Sequence, residues 1–378
     1  DDVRQMPEAS ADLARRPSTS QRFHLDFWLL GLLLCLTGYG LVVLYSASGQ
    51  QMSAVIRQGA YFGVAYVGMI AAAQISLPRY QRWAPWLYLL GVGALVAVMF
   101  VGVGAKGAQR WLSIGGFRFQ PSEIMKLTVP LTIAWYLADR ILPPAFRYVL
   151  GALVLIGIPA LLILQQPDLG TALLIAASGL FVLFMAGIGW RYIGGAVLLA
   201  ILSAWPAWMF VLKDYQKQRI LTMLNPESDK LGAGWNINQS KTAIGSGGWT
   251  GKGWLNGTQS QLDFLPESHT DFIIAVLAEE FGLRGVLTLM TLYLLILLRG
   301  FIIGMRAQTS FGRMIAGSLT LTFFVYIFVN RGMVAGLLPV VGVPLPLVSA
   351  GGTSVVTLML GFGVLMAVST EKRMVANT

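Results

Sequence analysis

An aspartate and a lysine carry the most specific chemistry in this chain. Asp271 closes a long polar stretch and opens the apolar run that follows it. A carboxylate in that position can take a proton from a hydroxyl, provided it is ionised and within hydrogen-bond reach. It can also cap the helix or complement its dipole. Lys126 lies inside a different apolar run, after Gln120-Pro121-Ser122-Glu123. Proline suits the first turn of a helix and an early carboxylate complements its dipole, so residues 120–123 have a complete structural account. Lys126 does not. At about 1.5 Å of rise per residue it sits several Å below the helix start, where an ammonium needs a partner or a watery cavity. Glu123, three residues earlier on the same face, is one candidate partner. A carboxylate from the long polar stretch is another. An ammonium close to Asp271 would favour its charged form.

Other candidates cluster around these two. Lys106, Arg110 and Trp111 place two cations and an aromatic ring among small residues. That suits a platform for phosphate and sugar, or equally an interfacial belt with snorkelling cations. Asp168 opens an apolar run and can cap it. The long polar stretch, 213–270, contains Arg219, Lys241, a glycine-rich segment and His269. Its Gly-Lys pair is not a P-loop, because Ser246 stands where the first glycine belongs and Gly253 where the magnesium-binding hydroxyl belongs. The glycines are expected to let backbone approach an extended substrate. Glu280 and Arg284 are spaced to pair at i,i+4 as structural glue. The segment 338–354, which includes Ser349, is so rich in Pro and Gly that it must break helix at membrane depth. Such backbone is tolerated when buried in protein or lining a cavity. One cysteine and two histidines far apart in sequence make no zinc motif.

The elements that must position these groups are membrane helices. The chain has 378 residues, of which 56% are hydrophobic and only 12% charged, where a soluble domain carries about 25% charged residues. Its apolar runs are continuous rather than alternating and about 20 residues long, so they read as spanning helices. The expected fold is an all-α polytopic membrane protein with about ten helices, near 26–47, 55–75, 84–103, 121–138, 147–164, 169–188, 191–212, 271–298, 311–336 and 347–369. Residues 1–23 are expected to be a disordered cytoplasmic tail, 24–373 a single transmembrane domain, and 213–270 a large extracytoplasmic loop between helices 7 and 8. Placing the N-terminus inside puts Arg79, Arg82, Arg140, Arg147, Arg191, Arg299, Arg306 and Arg313 on the inner face, as positive-inside topology requires. Ten spans then leave both termini cytoplasmic. The outer segments are also cationic, including the short stretch with Lys106, Arg110 and Arg118, which points to an anionic ligand there or to lipid headgroups.

Several of these stretches, in this order, resemble the SEDS family of peptidoglycan polymerases: 120–127, 166–171, 243–248, 265–272 and 338–349. The resemblance runs from about residue 25 to 372 and is nearer the family's elongation member than its division member. Ala350 departs from the tyrosine, and Arg331 from the smaller or apolar residue, that the family usually has there. The resemblance implies an enzyme that polymerises lipid II into β-1,4 glycan strands on the outer face of the bacterial cytoplasmic (inner) membrane. It carries the essential aspartate to Asp271 and the buried acid–lysine pair to Glu123 and Lys126. In the expected inverting mechanism Asp271 is the general base, and Lys126 keeps it ionised and oriented. Lys106, Arg110 and Arg219 are candidates to stabilise the departing pyrophosphate, with Trp111, Gln120, Asp168, Lys241, His269 and Ser349 completing the expected substrate contacts. No cofactor is firmly expected; a divalent cation, Mg or Mn, could share the charge. The expected partners are lipid II, a class B penicillin-binding protein (a PBP2-type transpeptidase) and other elongation-complex membrane proteins, with no nucleic acid. Two alternatives stay open: a lipid II flippase, which would need charges along its whole path, and a non-catalytic scaffold for a partner synthase, which would not need Asp271.

Overall fold

The computed structural model describes residues 18–371 except 106–107, 115–116, 167, 262–263 and 266–267. A short helix, α1 (Thr19–Phe23), is capped by Ser18 and lies within the stretch assigned to the tail. Three long helices follow: α2 (Phe27–Ala47), α3 (Met52–Gln74) and α4 (Leu77–Val101). Then come three short antiparallel strands, β1 (Val103–Ala105), β2 (Ala108–Ile114) and β3 (Phe117–Phe119), where the sequence suggested a short cationic outer segment. Strands of three residues such as β1 and β3 fall below the length at which alternation can be read. Next are α5 (Pro121–Ala138), α6 (Phe146–Gln165), α7 (Leu169–Met185) and α8 (Trp190–Pro206), the last continued by a π-helical turn, Ala207–Val211. The long loop is itself folded, with α9 (Asp214–Leu224), α10 (Ala233–Gly247) and α11 (Thr258–Gln261). The chain ends in α12 (Ile273–Met305), α13 (Ser310–Val334) and α14 (Thr353–Ser369).

Seven of these helices are long and apolar enough to cross a membrane, and α7 and α14 are shorter apolar helices of 17 residues. With α5, which carries Glu123 and Lys126, they are the ten helices expected. The protein is thus an all-α polytopic membrane protein. Helix α12 runs past its expected end because Arg299 is not a loop cation. Its guanidinium donates to Asp26 Oδ2 at 2.7 Å, and Ser369 Oγ donates to the same oxygen at 2.9 Å. Asp26 also caps α2 through Leu29 N. A charge in an apolar bundle is retained only when paired, so this cluster ties α2, α12 and α14 together at one end. The start of the first long helix and the end of the last lie on the same side. Helices α5, α7 and α13 pack on one another, while α8 has no buried residue.

The long loop is fastened to α12 at a break in that helix. Gly282 has φ 68° and ψ −161°, a region open in practice only to glycine. A Cβ there would overlap Gly251 N, and a Cβ on Gly247 would overlap Ala278 O. Gly247 and Gly251 of the loop therefore close backbone onto backbone within the protein rather than approaching a substrate, whereas a Cβ on Gly245 or Gly248 would meet nothing within 4 Å. Around the break, fully buried Glu279 accepts from Lys252 Nζ at 3.0 Å, Thr258 Oγ1 at 3.1 Å and Gln259 N at 3.0 Å. Glu280 is bonded by Ser46 Oγ and by Gln261 Nε2. The expected Glu280–Arg284 pair does not form: the kink at Gly282 destroys i,i+4 geometry, Arg284 is exposed, and its backbone N–H goes to Trp249 O. Gly282→Val is expected to destabilise the protein by about 3 kcal/mol through strain and overlap. A thermal-melt comparison in detergent checks this.

Candidate active site

The site is assembled where α5, α7 and α12 begin and α13 ends. Pro121 at the first turn and Glu123 after it start α5 as the sequence suggests. Lys126 Nζ donates to Glu123 Oε1 at 2.9 Å, each side chain being 12% exposed. Of the two partners considered for Lys126, Glu123 is the one observed. Glu123 Oε2 is buried with no hydrogen-bond partner among the described residues, so this carboxylate keeps an acceptor in reserve. The ammonium also stands 5.6 Å from the centroid of the Tyr326 ring, in electrostatic contact with that buried side chain. Asp168 caps α7, accepting from Thr171 N, and its other oxygen accepts from Gln120 Nε2, both at 3.4 Å. Helix capping therefore explains part of Asp168, and the Gln120 bond holds α5 to α7. A cavity of about 50 Å³ is lined by Lys126 and Tyr326 at a bundle face otherwise mostly apolar.

Asp271 sits at the head of α12, where Phe272 occupies the N-cap position, so Asp271 is not placed as the capping residue. It is partly exposed. Buried Asn330 sets its place: Nδ2 donates to Asp271 O at 2.9 Å and to Val343 O at 2.8 Å. Ser349, 2% exposed, donates from Oγ to Thr270 O at 2.7 Å and accepts from Leu345 N at 2.9 Å. Ala350 N donates to His269 O at 2.9 Å. The Pro- and Gly-rich segment 338–352 thus lies against the Asp271 turn, and a Cβ on Gly342 would sit 3.7 Å from Asp271 Oδ2. Gln58 of α3 holds the far end of that segment through Ser349 O and Gly351 N.

Lys126 and Asp271 are linked through α13. Tyr326 meets the ammonium, and Asn330, one turn later on the same face, holds the aspartate's backbone. Four residues rise about 6 Å along the axis. The sequence reading missed Tyr326, Asn330's role and Gln58. The available signal was a tyrosine and an asparagine spaced i,i+4 on one face of an apolar helix, where polar groups need partners. Asn330→Ala is expected to leave two carbonyls unpaired. That should cost about 2 kcal/mol of stability and lower turnover more than substrate affinity, as measured by kcat and KM.

The remaining candidates are more scattered. Arg219 stacks on Tyr215 within α9, with its guanidinium 5.4 Å from the ring centroid. Exposed Lys241 lies over Gly336. Trp111 is half-buried in β2, opposite Val103. The side chain of His269 is exposed. Lys106 lies outside the described residues, as does the side chain of Arg110. Among the described residues no group of three His, Cys, Asp or Glu side chains is placed to hold a metal ion.

Residues 27–374 match the family model for FtsW, RodA and SpoVE, described as cell cycle protein. The chain belongs to this SEDS family. Among SEDS relatives, it is 53% identical over 357 residues to the peptidoglycan glycosyltransferase MrdB of Escherichia coli K12, covering 94% of this chain and 96% of that protein. Its fold matches a chain of a peptidoglycan synthase complex that coordinates polymerization and crosslinking. That match has TM-score 0.80 and 30% identity, and covers 91% of this chain and 97% of the other. The rod shape-determining protein RodA of Thermus thermophilus matches with TM-score 0.68 and 28% identity, covering 91% and 96%.

Proposed function

We propose that this SEDS protein is a peptidoglycan glycosyltransferase of cell elongation, polymerising lipid II into β-1,4 glycan strands at the outer face of the bacterial inner membrane. Its likeness to MrdB supports the activity. The observation that carries the chemistry is the shared face of α13. Tyr326 there meets the Lys126–Glu123 pair, and Asn330 holds the turn bearing Asp271.

The reaction joins the C4 hydroxyl of an acceptor GlcNAc to C1 of a donor MurNAc. As the new C–O bond forms, the bond from C1 to the pyrophosphate of the lipid carrier breaks, and the α link becomes β. A sugar hydroxyl is too weak an acid to ionise beforehand, so a base must take its proton as the bond forms. Asp271 takes it. Asn330 fixes the backbone of that aspartate, and the backbone at Gly342 passes beside its carboxylate, where a Cβ would come within 3.7 Å. Lys126, neutralised on one side by Glu123, supplies positive charge beside Tyr326, one helical turn before Asn330 on α13. The departing pyrophosphate gains charge and needs cations aimed at it; Lys106, Arg110 and Arg219 are assigned to this, with a divalent cation able to share the task. The donor's lipid tail stays in the bilayer, which is why the site is built into a helix bundle. A class B penicillin-binding protein is the proposed partner, in keeping with the synthase complex that this fold matches.

The test is polymerisation of labelled lipid II by the purified chain in detergent, where no second leaflet exists. Long glycan strands from the chain alone are expected. No polymer, with lipid II transport in vesicles instead, would support a flippase. No polymer without an added synthase would support a scaffold.

A further inference from the structure

Arg331 follows Asn330 at the end of α13 and takes no part in the arrangement around Asp271. Its guanidinium donates to Met290 Sδ at 2.7 Å. A thioether is a weak acceptor, and no carboxylate pairs with Arg331 among the described residues. A cation in a membrane bundle ordinarily has an anionic partner or a watery space. Here it lines a cavity of about 420 Å³, bounded by Gly245 and Gly248 of the α10 end and by Ile274, Ala278 and Leu283 of α12. No acidic side chain is among the residues lining it. Neither Lys126 nor Asp271 lines it, so it is separate from the candidate active site.

Two features say what fits. The walls include Ile244 and Leu283, which are 38% and 45% exposed, so the cavity adjoins exposed apolar surface. A second cation stands at the rim: Lys241, one turn before Ile244 and Gly245 on α10, rests over Gly336, next to the lining residue Ala335. A Cβ on Gly336 would lie 2.9 Å from Lys241 Nζ. An anionic head entering from the side and trailing an apolar tail satisfies both features. Guanidinium geometry matches a phosphate through paired N–H donors.

We infer that this cavity binds the phosphate headgroup of an anionic phospholipid from the surrounding bilayer. Arg331 holds the phosphate, Lys241 adds charge at the rim, and an acyl chain lies along Leu283 and Val286. The site gives bilayer composition a direct contact with the helix that also positions Asp271.

Native mass spectrometry of the purified chain tests this, with phosphatidylglycerol, phosphatidylcholine or undecaprenyl diphosphate titrated in. Phosphatidylglycerol adducts are expected at least about tenfold above phosphatidylcholine adducts, and reduced about tenfold in Arg331→Met, the scale set by one charge-assisted contact. Gly245→Leu is expected to reduce them as well. A Cβ at Gly245 meets nothing within 4 Å, so this variant adds bulk at the cavity wall while leaving Arg331 in the sequence, and it keeps the test alive if Arg331→Met fails to fold. Equal retention of the two phospholipids would overturn the inference, as would full retention in Gly245→Leu. Arg331-dependent binding of undecaprenyl diphosphate without phosphatidylglycerol binding would assign the cavity to the carrier lipid of the reaction instead.

Discussion

Asp271→Asn is expected to lower the rate of lipid II polymerisation by about 10² to 10⁴-fold, the usual contribution of a positioned general base. The amide keeps the shape of the side chain but cannot accept the acceptor's proton. The fold should survive the change. Asn330 grips the backbone carbonyl at 271 rather than the carboxylate, and Phe272 occupies the capping position of α12. An unfolding free energy within about 0.5 kcal/mol of wild type, measured beside the polymerisation rate, would separate lost chemistry from lost structure. A variant that polymerises at near wild-type rate would show that another group takes the proton.

Lys126→Met is expected to lower both stability and activity. Removing the ammonium leaves Glu123 buried at 12% exposure with neither oxygen paired to a cation, a loss of about 3 kcal/mol or more. Adding Glu123→Gln should recover much of that stability, because an amide is far cheaper to bury than a lone carboxylate. It should not recover polymerisation, since positive charge beside Tyr326 stays absent. A double-mutant cycle read in both melting and rate therefore distinguishes a structural pair from one that also serves the reaction. If the double variant regained wild-type rate, the pair would be structural alone.

What the sequence could show follows from what each signal measures. Apolar runs report contact with lipid, so the spanning helices were legible to within a few residues at most ends. Arg299 broke that rule, because a cation paired with Asp26 across the bundle looks in sequence like a loop cation. The acid–lysine pair was legible because residues 123 and 126 share a helix face. The contact of Lys126 with Tyr326 was not, because two hundred residues separate them and no periodicity encodes which helices pack. The Glu280–Arg284 expectation assumed an unbroken helix. The break lies in the conformation of Gly282, whose φ of 68° goes with loop backbone packed where a Cβ would otherwise stand. In the same way, the loop glycines announced close approach but not which backbone approaches.

The most direct test of the central claim is chemical rescue of Asp271→Ala by formate. A small carboxylate can enter the space left by the side chain and take the acceptor's proton. The expected result is a variant that polymerises lipid II only when formate is added, at a rate that rises with formate concentration and does not respond to matched chloride. Polymerisation by Asp271→Ala at near wild-type rate with no carboxylate present would contradict the role given to this aspartate.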